Sequence, residues 1–582
     1  MAEIPGAVRH RILDRFRLLY GRDRAGDVLA RLERLLSRFE ARPARYIPAN
    51  RMTERDVILI TYGDLLQRPG QPPLVTLHEA LGRHLQGVIS TVHLLPFFPY
   101  SSDDGFSVID YLRIDPALGD WEDVHRIGSA FKLMFDAVIN HISAQSAWFQ
   151  AFRAGDPAYR DYFIVVDPAT DLSGVTRPRV TPLLTPFQTA LGERHVWTTF
   201  SADQVDLNYA NPDVLLAVLE VLLTYVAHGA DIIRLDAIAY LWKEVGTSCI
   251  HLPQTHAVVQ LIRAVLDAVA PDVLIITETN VPHEENISYF GDGTDEAQLV
   301  YQFSLPPLVL HSFRTGDARA LSRWAATLEA PSETTTFFNF TASHDGIGVR
   351  PATGLISEED IQALTELAGA RGGHVSYKTN PDGSQSPYEL NVTYVDAIVP
   401  PDAPGSPAEK ARRFLASQAI MLALQGVPGI YFHSLLGSRN WQEGVAQTGR
   451  PRTINRQKLD YDALRAELED PATFRHHVFS GYVDLIRKRA AERAFHPNAA
   501  QQVLELSEAV FALRRTAPDG SACIVALHNV SGHPQRVVLR EEHVGGQVPE
   551  LTDLIAGEVY PWRAGLALQL EPYQVVWLKA GR

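Results

Sequence analysis

Eight short apolar runs, each ending abruptly in polar or charged residues and each followed by a helical pattern, constrain this chain more than any other feature. They are VILITYGD from residue 57, GVISTVHLLP from 87, KLMFDAVINH from 132, ADIIRLDAIAY from 230, DVLIITETN from 272, LVYQFSLP from 299, TTTFFNFTASHD from 334 and VPGIYFHSLLG from 427. A strand that is apolar on both faces needs cover on both faces, which is the condition of a parallel sheet wrapped by helices. Eight alternations of strand and helix predict an α/β fold, a (β/α)8 TIM barrel; an open doubly wound sheet is the competing arrangement.

The intervals between runs divide the rest of the chain. Two are too long for simple connections, residues 143–210 and 346–410. The second contains the Gly/Ser/Asn-rich stretch GARGGHVSYKTNPDGSQSPYELN. Long insertions in a compact enzyme tend to be lids or small subdomains over a site. We therefore expect an inserted small domain at 143–210, a loop subdomain over the site at 346–410, and a barrel built from 51–142 and 211–495. Residues 7 to about 43 have helical periodicity with arginines on the polar side, a helical extension within 1–50. From about 497 the texture becomes short alternating runs with turn signals (VLELS, VFALRRTAPDG, CIVALHNVSG, QRVVLR), which predicts a C-terminal antiparallel β domain over 496–582.

Charge and cysteine content exclude several classes of function. Lys and Arg number 53 against 68 Asp and Glu, a formal charge of -15, so the overall field repels nucleic acid and anionic lipid. No apolar stretch approaches the roughly eighteen residues of a membrane span. The start MAEIPGAVRHRILDRFRLLYG has no apolar signal core. Cys249 and Cys523 stand far apart with no metal-site or disulfide spacing. We expect a cytoplasmic protein that acts on small molecules without nucleic acid or membrane partners, as a monomer or homodimer.

In a barrel the polar strand ends form the C-terminal mouth, where active sites lie. Alternation aims Arg234 and Asp236 to one face of their strand. Alone, that pair reads equally well as an ion pair holding the barrel together. The next strand ends in Glu278 and the seventh run in His344 and Asp345, so three carboxylates from three strands converge. Like charges in a partly desolvated site cannot all stay ionised, so one pKa rises and its group becomes a proton donor near neutral pH. A carboxylate nucleophile with a protonated carboxylic acid is what retaining glycoside chemistry requires. Three carboxylates with histidines could also hold a metal, but no tight ligand spacing such as HExxH supports that, and we expect neither metal nor cofactor.

The ordered segments DAVINH (136–141), IIRLDAIAY, ITETN and FTASHDG resemble the conserved regions of the α-amylase-type glycoside hydrolase superfamily. Within it, LPFFPYSSDDGF (95–106), RLDAIAYLWKEVGTSC (234–249), FSLPPLVLHSFRTG (303–316) and HDGIGV (344–349) are similar to the sucrose phosphorylase branch. The resemblance implies that Asp236 is the nucleophile, Glu278 the general acid/base and Asp345 the transition-state stabiliser. It implies that Arg234 holds the Asp236 pKa low, and that Asp103 and Arg452 hold the far side of a glucosyl ring. It further implies that His141 and His344 bond the ring hydroxyls, that Phe200 is an aromatic platform, and that Arg179, Tyr240 and Tyr388 serve phosphate.

What attacks the glucosyl-enzyme sets the activity, and the three phosphate positions favour phosphorolysis over hydrolysis or transfer. On the acceptor side Asn280 and Glu389 stand where sucrose phosphorylases have His and Gln, which argues against fructose. The segments GIGVRPATGLI and FHSLLGSRNWQEGVAQTGRPRTINRQKL look most like glucosylglycerate phosphorylases, which act on 2-O-α-glucosylglycerate with inorganic phosphate. Arg350, Arg439, Arg450 and His433 are candidates to meet a glycerate carboxylate. The same cations suit a phosphorylated sugar, so phosphorolysis of sucrose 6-phosphate is the alternative, with sucrose and glucosylglycerol as further neighbours; an α-glucosidase, a transglucosidase or a non-catalytic scaffold ranks below these.

Overall fold

The computed structural model describes residues 4–45, 51–380 and 383–581; parts of the expected N-terminal extension (1–3, 46–50), of the loop insertion (381–382) and of the C-terminal domain (582) lie outside them. All eight apolar runs form strands, and the strands close into one parallel barrel rather than an open sheet. In chain order they are β1 Ile58–Thr61, β2 Thr91–Leu94, β3 Lys132–Ala137, β4 Ala230–Leu235, β5 Leu274–Thr277, β6 Leu299–Tyr301, β7 Thr336–Phe340 and β8 Val427–Tyr431. Each pairs with its sequence neighbours and β8 closes on β1, with Ile58 opposite Gly429. Every residue of β1, β2, β5, β6, β7 and β8 is buried, as expected for strands covered by helices outside and by packed side chains inside.

The N-terminal periodic segment forms two helices, Gly6–Tyr20 and Arg22–Leu36, which bury Ile12, Phe16, Leu29 and Leu32. The first packs onto the barrel helix Pro253–Val269, where Arg11 reaches Asp267 at 2.9 Å, and the second meets the helix Pro212–Ala227. The 143–210 interval contains the hairpin Leu184–Thr189/Gly192–Trp197 and the short strand Gln204–Asp206, which pairs with His141–Ser143. The 346–410 interval contains a three-stranded antiparallel sheet, Ile347–Gly348, Gln385–Asn391 and His374–Thr379. Both insertions lie over the C-terminal ends of the strands, where they supply walls to the pocket described below.

The C-terminal part is antiparallel: a six-stranded sheet running from Ala500–Val503 to Val559–Pro561, with the pair Gln535–Leu539/Leu566–Leu570 beside it. Of two buried arginines at the base of the barrel that bond only carbonyls among the described residues, Arg515 belongs to this sheet and ties it to the barrel, while Arg489 sits on the last barrel helix. Arg489 donates to the backbone of Leu422, Glu54, Gly426 and Phe495, and Arg515 to that of Ala423, His496 and Ala499. Among the described residues no helix is long and apolar enough to cross a membrane.

Candidate active site

The site grows from the end of β4. Asp136 on β3 lies beside Arg234 in register, and both side chains point into the barrel. Asp136 accepts a short hydrogen bond from the Arg234 guanidinium and is bonded to His93 Nε2 at 2.6 Å. Arg234 also donates to Tyr301 Oη at 3.0 Å and, through Nη1, to Asp236 Oδ1 at 2.7 Å. This buried lattice fixes the guanidinium, so Asp236 at the strand end is held from below.

Immediately after Asp236 the chain turns through Ala237, which has φ 49°, in the left-handed region that costs a non-glycine residue energy. The strained turn aims the Ala237 N–H at Glu278 Oε2, 3.0 Å away at the end of β5. Glu278 stands 4.0 Å from Arg234, so it feels that cation less than Asp236 does. Burial first, and then the negative charges of Asp236 and Asp345, push its pKa up from 4.5 to about 7.

Asp345, after β7, has the opposite environment. Arg452 reaches it at 2.7 Å, with Arg456 at 3.8 Å, and these cations hold its carboxyl well below the usual range against the cost of burial. Arg452 is shared: it also forms a two-point pair with Glu389, at 3.0 and 2.9 Å. Glu389 in turn accepts from the N–H of Gly346 at 3.0 Å, a contact so close that a Cβ at Gly346 would sit 2.6 Å from the Glu389 side chain. The 346–410 insertion is thereby pinned to the strand end that carries Asp345.

The Asp236 carboxyl departs from the sequence expectation. Its pKa is raised, because burial outweighs the Arg234 charge and because Asp136 and Asp345 add negative potential. Arg234 pulls it down, as expected, but is itself spread over Asp136, Asp236 and Glu278.

The residues nominated for the glucosyl ring and for phosphate, with Asn280 and Glu389, line the same pocket: Asp103, His141, Arg179, Phe200, Tyr240, Asn280, His344, Tyr388, Glu389 and Arg452 surround the three carboxylates, and Arg234 lies just beneath. Asp103 sits in the turn SSDDG, where Asp103 and Asp104 have φ 53° and 48°. A Cβ at Gly105 would lie 2.7 Å from the Pro96 carbonyl, so this turn requires glycine. His141 Nε2 is 2.8 Å from the Phe106 carbonyl, and the ring tilts against Phe200 at 5.3 Å. His344 stacks on Phe106 at 4.7 Å and 2°; burial drives its pKa well below the ordinary histidine value, so the ring is neutral. Tyr240 meets Phe200 edge-on at 5.6 Å. Arg179 lies over the rings of Tyr388 at 5.3 Å and Phe200 at 5.7 Å, and among the described residues no carboxylate pairs with it.

Sequence reasoning missed several participants. Gln204, from the 143–210 insertion, is bonded to the Phe106 carbonyl at 3.0 Å and to His141 at 3.2 Å, and approaches Asp103 at 3.4 Å. Asp136 was inside a motif already singled out, but its contact with Arg234 depends on inter-strand register. Behind His141 lies a buried ammonium: Lys243 meets Asp206 at 2.5 Å and Asn140 at 2.7 Å. None of the four acceptor-side cations lines this pocket. Arg439 is captured by Asp396 at 2.6 Å and the Val399 carbonyl. His433 is bonded to Ser438 at 2.9 Å and buried, with its pKa pushed down to about 3. Neither lines the pocket; Arg350 and Arg450 occupy flanking cavities.

The arrangement offers an ionisable carboxylate on a fixed base, a carboxyl group that titrates near neutrality, a permanently charged carboxylate, an aromatic face and a cation without a carboxylate partner. Residues 85–362 match the family model described as the α-amylase catalytic domain. The chain is 52% identical over 574 residues to the glucosylglycerate phosphorylase of Spirochaeta thermophila, which covers 96% of this chain and 97% of that one. It is 50% identical over 578 residues to the glucosylglycerate phosphorylase of Allomeiothermus silvanus, covering 99% and 100%. Among solved structures it resembles sucrose 6F-phosphate phosphorylase from Thermoanaerobacter thermosaccharolyticum, with TM-score 0.71, 26% identity, and 82% and 94% of the two chains covered. The chain belongs to the α-amylase-type family of barrel enzymes, in the branch of the glucosylglycerate phosphorylases.

Proposed function

We propose that this chain is a retaining glycoside phosphorylase that reversibly converts 2-O-α-D-glucosylglycerate and inorganic phosphate to α-D-glucose 1-phosphate and D-glycerate. The observation that carries the reading is the split between Glu278, whose pKa is pushed up to about 7, and Asp345, held ionised by Arg452, beside an Asp236 fixed by Arg234. Asp236 attacks the anomeric carbon while the bond to the glycerate oxygen breaks and that oxygen takes the Glu278 proton. A phosphate oxygen then attacks the same carbon as its hydroxyl proton passes to Glu278, the Asp236 ester breaks, and the configuration is retained over two inversions. Asp345 and the Phe200 face support the positive charge that develops on the ring.

Arg179, lacking a carboxylate partner among the described residues, supplies a cation to phosphate, with Tyr240 and Tyr388 as hydroxyl donors. Asp103, His141, His344 and Arg452 hold the glucosyl ring, and Asn280, whose Oδ1 is buried without a hydrogen-bond partner, faces the acceptor side. Cys249 and Cys523 form no disulfide with each other, which fits a reducing, phosphate-rich cytoplasm. The test is synthesis: α-glucose 1-phosphate with D-glycerate should release phosphate and yield an α-linked product. Release with fructose 6-phosphate but not with glycerate would reassign the acceptor to a phosphorylated sugar.

A further inference from the structure

Both substrates and both products of that reaction are anions, yet the chain carries a net charge of -15 that repels anions at a distance. Access to the pocket therefore calls for local positive charge that is not already neutralised. A cavity of about 520 Å³ between the two insertions has this property. Arg177 from the first insertion, and Arg350 and Lys378 from the second, line it together, and no described carboxylate does. Tyr388 lines both this cavity and the catalytic pocket, so the two share a wall.

Among the described residues none of the three cations is fully compensated. Lys378 Nζ donates to Asn380 Oδ1 at 2.9 Å and forms no ion pair among the described residues. Its pKa is held below the usual lysine value, first by burial and then by the Arg350 charge, which places the two cations in each other's field. Arg177 donates to the Thr181 carbonyl. Arg350 has one carboxylate, Glu285, at 3.5 Å, and Glu285 is shared with His251 at 3.1 Å. The cavity at the opposite end of the barrel is the contrast: it too is rich in Arg and Lys, but Arg42 meets Asp231 at 2.9 Å, Lys132 meets Asp56 at 2.7 Å and Arg51 meets Asp272 at 3.6 Å. Arg42, Lys132 and Arg51 there each have a carboxylate partner, whereas beside Tyr388, among the described residues, only Arg350 does.

We propose that the cavity lined by Arg177, Arg350 and Lys378 is a second oxyanion site, outside the catalytic pocket, that holds inorganic phosphate or a small carboxylate on its way to and from the glucosyl-enzyme. This rests on the phosphorolytic reading for its kinetic consequences, though not for binding itself. Partly buried cations in a low-dielectric recess raise local anion concentration, and the effect falls with ionic strength as screening shortens its reach.

The experiment compares wild type with Lys378→Gln and Arg177→Gln. Each variant should raise KM for phosphate by about three- to tenfold with kcat within about twofold, and should flatten the decline of kcat/KM as sodium chloride is raised. Hydrolysis of α-glucosyl fluoride, a neutral donor with water as acceptor, should not change. Running the synthetic direction with D-glycerate separates the sources: a shift in KM for phosphate alone assigns the site to phosphate, a shift for glycerate alone to the carboxylate, and a shift in both to either anion. Unchanged KM for both anions, or a parallel fall in fluoride hydrolysis, overturns the proposal. Should wild type show no phosphorolysis, the reaction assignment fails while the site remains testable: phosphorus NMR line broadening of inorganic phosphate should weaken in the Arg177→Gln/Lys378→Gln double variant, and equal broadening would overturn the site.

Discussion

Replacing Glu278 by glutamine tests the acid assignment through two separate readouts. At pH 7 a carboxyl group with the ordinary pKa of 4.5 is protonated in roughly one molecule in 300, whereas one pushed up to about 7 is protonated in about one in two, a gain of roughly 150-fold in available acid. Glu278→Gln should therefore slow cleavage of an unactivated α-glucoside by about 10²- to 10⁴-fold. The rate with α-glucosyl fluoride, whose leaving group needs little protonation, should fall by about tenfold or less. The wild-type kcat/KM for the glucoside should decline as pH rises through about 7, and the variant should lose that limb. The same pKa has a price in stability, and its sign is fixed. Below pH 4.5 both folded and unfolded chains carry the proton, and there is no cost. Between 4.5 and about 7 the folded state keeps a proton the unfolded chain has lost, so stability falls as pH rises. Above about 7 the folded state bears the full cost of a buried carboxylate, on the order of 3 kcal/mol. Glu278→Gln should then be more stable than wild type at pH 8 and equal to it at pH 4, read by thermal denaturation at both values. Equal losses with glucoside and fluoride, or a Tm difference independent of pH, would refute the reasoning.

Further outcomes follow from neighbouring contacts. Asp236→Asn should remove turnover of both donors while the folded state persists, checked by circular dichroism and fluoride release; residual turnover near wild type would sink the covalent mechanism. Because burial raises the Asp236 pKa, the acid limb of kcat/KM should lie above the ordinary aspartate value of 3.8, with activity lost as pH falls through it. Arg179→Gln should raise KM for phosphate by about tenfold or more while hydrolysis of glucosyl fluoride continues, read by initial rates in both assays. Lys243→Met should cost about 3–5 kcal/mol by denaturant unfolding, since it leaves Asp206 buried without its cation, and adding Asp206→Asn should recover part of the loss.

The barrel was legible because a strand covered on both faces has to be apolar throughout, and a polar residue can then occur only where the strand emerges. That rule placed Asp236, Glu278 and Asp345 at one mouth before any geometry was known. It could not find Asp136, which interrupts an apolar strand inside the barrel and is tolerable only because His93 and Arg234 meet it from adjacent strands. Gln204 escaped for a related reason. Its partners, Asp103 and His141, come from other loops, and nothing in its local sequence separates it from a solvated glutamine. Arg439 and His433 were nominated by nearness to strand ends, but Asp396 and Ser438 draw them away from the pocket. Strand periodicity fixes which end a residue occupies, whereas a loop cation goes to whichever acceptor its neighbours provide.

The division of labour among the carboxylates follows from how few cations they share. Among the described residues three arginines pair with Asp136, Asp236, Glu278, Asp345 and Glu389: Arg234 serves the first three, Arg452 the last two, and Arg456 reaches Asp345 from 3.8 Å. At an effective dielectric of about 20, a unit pair at the 2.7 Å separating Arg234 from Asp236 is worth about 6 kcal/mol, and one at the 4.0 Å separating Arg234 from Glu278 about 4 kcal/mol. Among the described residues Glu278 has no other cation within ion-pair distance, so the group with the weakest compensation takes the proton. Asp345, with Arg452 at 2.7 Å and no share in Arg234 at that range, stays charged. The acid is therefore specified less by Glu278 itself than by the lattice of His93, Asp136 and Tyr301 that holds Arg234 closer to Asp236 than to its neighbour.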